Sequence, residues 1–333
     1  MLKVVYQRSG EPSKVLEIAN VETPSPAGSQ VLVKLAMMPI VPADLATIRG
    51  IYRTPQKTPT TPGLEGIGVI SATGNKVESF AVGQRVLVLP FKNAGWSNGT
   101  WQEYVLLDEY DVFPIPDQAE AHVWAQLFNT ILTPWIMLVE DLRLKSGDTL
   151  LLTGAGSTVG QVALQISKIK GFSVIGVVRR SEQIQLIKEL GARDVICSAN
   201  EDITQRAMAL TNLRGVDAVL DAVGGKVASQ CLRALADNGT MYVYGLLDLE
   251  RDSGIDIRKI LFYNLSLRGF WLPGWWHRTA TDERIRIINT VAGLVAQGHL
   301  TAVIDSKFRL SEVKAAVEKA EQPGNNGRVF LIP

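Results

Sequence analysis

The spacing of hydrophobic and polar residues changes character near residue 117. Before it, short apolar runs at 31–36, 66–74 and 85–89 are separated by glycines and prolines, as in strands joined by tight turns. Repeats and low-complexity segments are absent from the sequence. Residues 1–117 therefore predict a small all-β domain.

After residue 117 the apolar positions first recur at helical spacing over 119–144, where Pro134 is expected to kink or break the helix. Strand-like runs at 148–153, 173–178, 194–196, 217–221 and 239–245 then alternate with helical segments. This alternation predicts an α/β fold with a doubly wound parallel sheet. A last strand is expected at 265–271, followed by a tail that packs back on the first domain. The predicted domains are 1–117 with 265–333, and 118–264.

The first strand of the alternating part runs into a glycine-rich turn. Glycines let the backbone approach a pyrophosphate, and the N-terminus of the following helix offers free N–H groups and a positive dipole end. The glycine spacing is one residue longer than the usual fingerprint, and an ordinary strand-to-helix turn is the alternative. The dinucleotide interpretation assigns cofactor binding to Gly154, Ala155, Gly156, Ser157, Thr158, Val159 and Gly160.

The tip of the second strand bears on the choice of cofactor. An acidic residue there usually binds the ribose hydroxyls of NAD, whereas this chain has Arg179 and Arg180. Guanidinium groups pair well with a 2′-phosphate, which favours NADPH over NADH. The alternative is that both arginines lie in solvent at the start of a helix, although positive charges are unfavourable next to the positive end of the helix dipole. Tyr244 and Gly245, at the end of a later strand, lie where open α/β sheets bind ligands.

Composition limits the remaining possibilities. A chain of 333 residues, with 46% apolar and 20% charged residues, is typical of a globular protein with two domains. The net charge of +1 argues against a nucleic-acid partner, and no apolar run approaches the roughly twenty residues that span a membrane. Two cysteines and an N-terminus without an apolar signal core favour a cytoplasmic location.

Several stretches carry a family resemblance that covers nearly the whole chain. They lie at 39–44, 49–52, 61–68, 99–101, 159–162, 222–225, 239–245 and 267–272. The chain resembles the zinc-independent medium-chain dehydrogenases/reductases, with the mitochondrial-type 2-enoyl thioester reductases first and the quinone oxidoreductases next. That family implies a GroES-like β-rich catalytic domain, a Rossmann domain and a homodimer.

The resemblance also implies roles for individual residues. Tyr52 matches the catalytic tyrosine of the family, while Asn129 and Thr133 match positions near the nicotinamide. Phe270, Trp271 and Leu272 open a run with three tryptophans in six residues. This run is expected to form a pocket wall with Trp271 near the nicotinamide, and core or interface packing is the alternative.

No metal is expected in the catalytic site. The positions of the superfamily's zinc ligands read Val-Pro-Ala-Asp at 41–44 and Pro-Gly-Leu-Glu at 62–65, and the three histidines are far apart. The expected reaction is NADPH-dependent reduction of the C=C bond of an α,β-unsaturated thioester or carbonyl compound. Tyr52 would stabilise the enolate or donate the proton. An NADPH:quinone oxidoreductase and a non-catalytic NADPH-binding regulatory protein are the alternatives.

Overall fold

The structure is a computed structural model that describes residues 1–52, 58–89, 98–118, 120–248 and 253–333. The chain divides into two compact units by its internal contacts. The first unit comprises residues 1–129 and 302–333, and the second comprises residues 130–301.

Strands are numbered in chain order: β1 (Leu2–Val5), β2 (Glu17–Asn20), β3 (Gln30–Pro39), β4 (Gly66–Thr73), β5 (Arg85–Val88), β6 (Tyr104–Asp108), β7 (Val112–Pro114), β8 (Thr149–Thr153), β9 (Ser173–Val178), β10 (Asp194–Cys197), β11 (Val216–Asp221), β12 (Leu235–Val243), β13 (Ser266–Gly269), β14 (Ile304–Arg309) and β15 (Arg328–Ile332).

The α-helices are α1 (Pro12–Val15), α2 (Pro42–Ile48), α3 (Ala121–Trp124), α4 (Thr133–Trp135), α5 (Thr158–Lys170), α6 (Ile184–Glu189), α7 (Ile203–Leu210), α8 (Gly225–Arg233), α9 (Ile257–Phe262), α10 (Leu272–Arg278), α11 (Thr281–Ala296) and α12 (Val313–Glu321). Short 3₁₀ turns cover Glu109–Asp111, Ser181–Gln183 and Leu310–Glu312.

The described part of the first unit is a β-rich fold. Its main sheet has the order β14-β15-β3-β4-β5-β7, with β6 also paired to β3, and β1 and β2 form a separate ribbon. The long strand β3 buries Val33 and Leu35, while Lys34 between them is exposed, so that one face of this part of the strand lies on the core. Trp101 and Tyr6 fill the centre and are fully buried. The β-rich character predicted for the first domain is confirmed, but helices α1 and α2 show that residues 1–117 are not all β, contrary to the prediction from the sequence.

The second unit holds a parallel sheet, which in its described residues has six strands in the order β10-β9-β8-β11-β12-β13. Every residue of β8 is buried, as expected for a central strand covered on both faces. The strand order reverses between β8 and β11, and a doubly wound sheet binds ligands at that point. The predicted doubly wound α/β fold is confirmed.

The contact units differ from the division drawn from the sequence. The second unit continues past residue 264 because β13 pairs in parallel with β12 and extends the same sheet. The first limit moves from 117 to 129, inside a helical run that periodicity alone cannot divide. Which limits describe independently folding domains stays a prediction.

The helix predicted over 119–144 is an irregular helical run. Residue 119 lies outside the described residues, and α3 begins at Ala121. On either side of Pro134 the run adopts π-helical turns, at Leu127–Leu132 and Ile136–Asp141. Proline removes an amide donor and crowds the preceding turn, which agrees with the expected disturbance. Such π turns are frequent at functional sites.

Candidate cofactor and catalytic site

Most residues assigned to the cofactor follow the carboxyl ends of the parallel strands. The glycine turn follows β8, Arg179 and Arg180 follow β9, and Tyr244 and Gly245 follow β12. Phe270 continues from β13. Because all these strands run in the same direction, their carboxyl ends meet at one edge of the sheet. The structure therefore brings these predicted residues to the edge where such folds bind ligands.

The turn after β8 has the geometry of a phosphate-binding turn. Gly154 has φ +58°, a left-handed conformation that favours glycine. Ser157 is the N-cap of α5, and its hydroxyl accepts a hydrogen bond from the Gly160 amide at 3.1 Å. A Cβ on Gly160 would lie 2.6 Å from the Gly154 carbonyl oxygen, so glycine is required for this close packing. The other amides of the first helical turn have no intrahelical acceptor and can serve an anion.

Asp221 holds together the two strand ends at which the sheet order reverses. Its fully buried carboxylate accepts hydrogen bonds from the Thr153 hydroxyl at 2.6 Å and from the Gly224 amide at 2.9 Å. The Thr153 oxygen in turn accepts the Ala222 amide at 2.9 Å. Burial raises the pKa of Asp221 despite these hydrogen bonds. The network fixes the end of β8 against the end of β11, which shapes the base of the glycine turn.

Tyr244 presents an unused hydrogen-bonding group at this edge. Its backbone amide donates to the Asp221 carbonyl at 2.9 Å. Its hydroxyl is buried without a hydrogen-bond partner. Burial raises the pKa of Tyr244, as does the negative charge of Asp221, while Ser157 opposes the shift, so the hydroxyl lies near the glycine turn. A buried hydroxyl without a partner fits a site that a polar ligand completes. Gly245 is packed closely, since a Cβ there would lie 2.8 Å from the Ala222 carbonyl oxygen.

The arginine pair beyond β9 is available to an anionic ligand. Arg179 is exposed and Arg180 is half-buried, and neither has an ion pair within the described ranges. The 3₁₀ turn that follows carries Gln183, whose side-chain amide lies beside the glycine turn. A Cβ built on Gly156 would be 2.6 Å from Gln183 Nε2. The missing side chain of Gly156 therefore makes room for the Gln183 carboxamide.

The aromatic segment after β13 packs against the neighbouring strand β12 and against its own helix α10. The Phe270 amide donates to the Val243 carbonyl at 2.9 Å, and its ring meets Tyr242 edge to face at 6.3 Å. Trp271 is the N-cap residue of α10, and its indole ring lies against Gly274, where a Cβ would be 2.7 Å from the ring. Leu272 is buried. Trp271 is only half-buried, so part of its surface is open to a ligand.

Thr133 does not follow a strand. It is a buried residue at the start of α4, which packs against α5, the helix that begins at the glycine turn. Its assignment to the nicotinamide rests on the family resemblance alone.

Tyr52 belongs to the first unit and lies just after α2. The helix ends at Arg49, and Gly50 has φ +75°, which turns the chain out of the helix. Arg49 forms ion pairs with Glu11 at 2.8 Å and with Glu321 at 2.5 Å. Tyr52 is half-buried. The segment before the tyrosine is therefore held to two other helices of its own unit.

Asn129, also in the first unit, is fixed by a buried carboxyl group. Glu65 Oε2 accepts the backbone amides of Phe128 at 3.0 Å and Asn129 at 3.1 Å. The Asn129 side-chain nitrogen is buried without a hydrogen-bond partner. Burial raises the pKa of Glu65 to about 7, although the Asn129 and Phe128 amides and the positive Arg328 oppose the shift.

Sequence reasoning missed Glu65, Asp221 and Gln183 as site residues. Glu65 and Asp221 each stand in an apolar stretch. A single acid in such a stretch is a usable signal, because burying a charge costs free energy unless hydrogen bonds or an opposite charge offset it. No signal marked Gln183, because its side chain reaches the glycine turn only through the packing of the second unit.

Two general properties of the described residues complete the picture. They contain no group of three or more His, Cys, Asp or Glu side chains arranged to hold a metal ion. Over the same residues, no helix combines the length and the apolar character needed to cross a membrane.

Comparison with known proteins identifies the family. The alcohol dehydrogenase GroES-like domain family matches residues 27–117, and the family described as zinc-binding dehydrogenase matches residues 158–288. The mitochondrial enoyl-acyl-carrier-protein reductase of Rattus norvegicus is 32% identical over 324 residues, covering 96% of this chain and 85% of the relative. The Homo sapiens enzyme is 31% identical, with 98% and 87% covered.

Solved structures have the same fold. A Bacillus thuringiensis protein, provisionally named an NADPH:quinone reductase, has a TM-score of 0.89 at 30% identity, with 100% of this chain and 98% of that chain covered. The Escherichia coli quinone oxidoreductase, solved with NADPH, also has a TM-score of 0.89, at 23% identity with both chains fully covered, and supports the fold alone. With relatives above 30% identity along almost its whole length, the chain belongs to the medium-chain dehydrogenase/reductase family of oxidoreductases.

Proposed function

We propose that this protein is an NADPH-dependent reductase of the C=C bond of an α,β-unsaturated thioester or carbonyl compound. The observation that carries the proposal is the similarity to mitochondrial enoyl-acyl-carrier-protein reductases over 96–98% of the chain. The glycine turn with φ +58° at Gly154, the capped helix behind it and the unpartnered Tyr244 hydroxyl fit a dinucleotide.

The cofactor proposal is specific for NADPH. Arg179 and Arg180 are free of ion pairs in the described structure, and no acidic residue stands beside them at the tip of β9. Two guanidinium groups can bind a 2′-phosphate, which NADH lacks. Replacing both arginines by alanine should remove the preference for NADPH over NADH. An unchanged ratio of the two kcat/KM values would refute this role.

A hydride for the β-carbon of the substrate would come from NADPH held at the glycine turn. The electron pair of the C=C bond then moves toward the thioester oxygen as an enolate, and the α-carbon needs a proton. We assign to the Tyr52 hydroxyl the donation of that proton or of a hydrogen bond to the enolate oxygen. A tyrosine hydroxyl with an ordinary pKa near 10 carries its proton at neutral pH. Trp271, Phe270 and Leu272 would form an apolar wall beside the reacting group, and Asn129 and Thr133 would contact the nicotinamide. No step requires a metal.

The test is steady-state NADPH oxidation with crotonyl-CoA, a simple enone and a quinone. We expect turnover of crotonyl-CoA, and a Tyr52→Phe variant should lose at least about tenfold in kcat, in line with general acid catalysis. Equal rates for the variant and the wild type would exclude Tyr52 as the donor. Tight NADPH binding without turnover of any acceptor would instead favour a regulatory protein.

A quinone oxidoreductase is the second candidate. The Bacillus thuringiensis structure, named provisionally for that activity, is 30% identical over the whole chain, and the half-buried Trp271 would suit a flat ring. Turnover of quinones with no turnover of crotonyl-CoA would replace the first proposal by this one.

The protein is also proposed to be a homodimer. Strand β13 is the edge of the described parallel sheet, and Leu267 on it is 40% exposed. Helix α9, earlier in the same unit, exposes Ile257, Leu261 and Phe262 by 69–76%. The open edge of a strand and several exposed large apolar side chains are typical of surfaces that a second copy covers. The cytoplasmic location stays a prediction.

A further inference from the structure

Glu65 is a fully buried carboxyl group that supports the backbone of Asn129. Glu65 precedes β4, and its own carbonyl accepts a hydrogen bond from the Thr100 hydroxyl at 2.7 Å. Its Oε2 atom accepts the amides of Phe128 and Asn129 at 3.0 and 3.1 Å. One carboxylate oxygen therefore fixes the main chain in the first π-helical turn, where Asn129 lies.

Each of these two side chains has a second polar atom that can still form a hydrogen bond. Glu65 Oε1 and Asn129 Nδ2 are both buried, and neither has a hydrogen-bond partner. The Asn129 side chain is nevertheless close enough to favour the charged form of Glu65 and so lower its pKa. The kind of hydrogen bond that these two side chains can form with each other depends on the proton of Glu65.

The chemistry of the two groups sets this dependence. A carboxylate can only accept hydrogen bonds, whereas a carboxylic acid also donates one. An ionised Glu65 therefore accepts a hydrogen bond from the NH₂ group of Asn129, and the amide oxygen of Asn129 remains available to a ligand. A protonated Glu65 donates a hydrogen bond to the amide oxygen of Asn129, and the NH₂ group of Asn129 remains available to the ligand.

The surroundings place the change of charge near neutrality. Burial raises the pKa of Glu65 to about 7, while Arg328, on β15, favours its charged form. Asp44, on α2, also interacts with Glu65, and burial raises the pKa of Asp44 to about 8, with a further contribution from Glu65. Asp44 also lines a small pocket in the first unit with Thr47 and Thr60. Burial thus moves the pKa values of both carboxyl groups toward the pH range in which enzymes work.

We propose that Glu65 is a positioning residue whose proton decides whether Asn129 turns its carboxamide oxygen or its NH₂ group toward the bound nicotinamide. The inference rests on the proposed function, because the family resemblance is what places Asn129 near the nicotinamide. Glu65 itself does not touch the cofactor in this scheme and acts through Asn129.

The test compares Glu65→Gln with the wild type across pH 5.5–9. Glutamine keeps an oxygen for the two backbone amides and presents an NH₂ group toward Asn129, so it imitates the protonated form at every pH. The readout is the Kd for NADPH, measured by nucleotide fluorescence. The matched control is Glu103→Gln, because Glu103 is a carboxylate of the same unit that also accepts a backbone amide, that of Leu2.

We expect the wild-type Kd to change about three- to tenfold through a midpoint near pH 7, the effect of one hydrogen bond gained or lost. Glu103→Gln should keep this transition. Glu65→Gln should lose it and hold the low-pH value throughout. A Glu65→Gln protein that keeps the wild-type transition, or a wild type without one, would overturn the proposal.

A second variant covers a failure of Glu65→Gln to fold. Asn129→Leu leaves the carboxyl group in place and removes the carboxamide, so the transition should disappear in this variant as well. If Asn129→Leu retains it, the proposal is wrong. Wild-type turnover of crotonyl-CoA at pH 8 is measured separately. Its absence would contradict the proposed reaction, whereas the Kd comparison tests Glu65 independently of any acceptor.

Discussion

The replacement Asp44→Asn should make the protein more stable at alkaline pH. Asp44 is 1% exposed on α2, and its Oδ2 atom accepts the Val41 amide at 2.9 Å. Its other oxygen is buried without a hydrogen-bond partner. Burial raises the pKa of Asp44 from 3.8 to about 8, and the charge of Glu65 adds to this effect. Asparagine has the same shape, can still accept the Val41 amide, and carries no charge.

The magnitude follows from proton linkage. One pKa unit is worth about 1.36 kcal/mol, so a rise from 3.8 to about 8 corresponds to roughly 5–6 kcal/mol at full ionisation. The folded state holds the proton more tightly than the unfolded state, so this contribution to stability is complete below pH 3.8. It is lost as the pH rises through about 8. The stability of Asp44→Asn relative to wild type should therefore increase by about 1.4 kcal/mol per pH unit between pH 4 and 8.

The assay is urea unfolding at pH 5, 6, 7, 8 and 9, with the melting temperature measured in parallel. Asp108→Asn is the control, because Asp108 is a carboxylate of the same unit that accepts a hydrogen bond from Ser29 at 3.0 Å and is only partly buried. Its stability difference from wild type should not change over this range. An Asp44→Asn difference that is independent of pH would show that Asp44 ionises normally in the folded protein.

Three further predictions concern the second unit. Gly160→Ala should raise the Kd for NADPH at least about tenfold and lower the melting temperature, because a Cβ would lie 2.6 Å from the Gly154 carbonyl oxygen. A Kd equal to that of the wild type would refute this close packing. Gln183→Glu should weaken NADPH binding, measured by fluorescence, by placing a negative charge beside the phosphate turn. Gln185→Ala is its control, since Gln185 is exposed and bonds Glu189 on its own helix. Leu267→Lys on the edge strand should convert the proposed dimer to a monomer in light scattering, and a dimeric variant would refute that interface.

The order of elements was largely predictable from the sequence. Strands β8 to β12 lie at the positions that apolar runs and glycines indicate, because buried parallel strands leave a strong hydrophobic signal. Helix α5 begins at Thr158, inside the glycine turn, because the Ser157 side chain caps it there. Element boundaries depend on such single hydrogen bonds and carry little signal in composition.

The sequence was a weaker guide to the candidate site. It marked the glycine turn and the arginine pair, because a strand-turn-helix order places them locally. It did not mark Glu65, whose partners Phe128 and Asn129 are more than sixty residues away. The π-helical turns on either side of Pro134 were likewise hidden, because a proline indicates a disturbed helix and not its form.

By itself the sequence determined the two kinds of architecture, the place of the glycine turn and the family, because these depend on local spacing and on motifs within short stretches. Only the tertiary structure decided that β13 completes the parallel sheet, that Gln183 lies against Gly156, and that Asp44 and Glu65 share a buried environment with Arg328. Sheet order, close approach and burial are set by residues distant along the chain. Burial in particular raises the pKa of an acid, and the residues next to that acid in the sequence do not indicate how deeply it is buried.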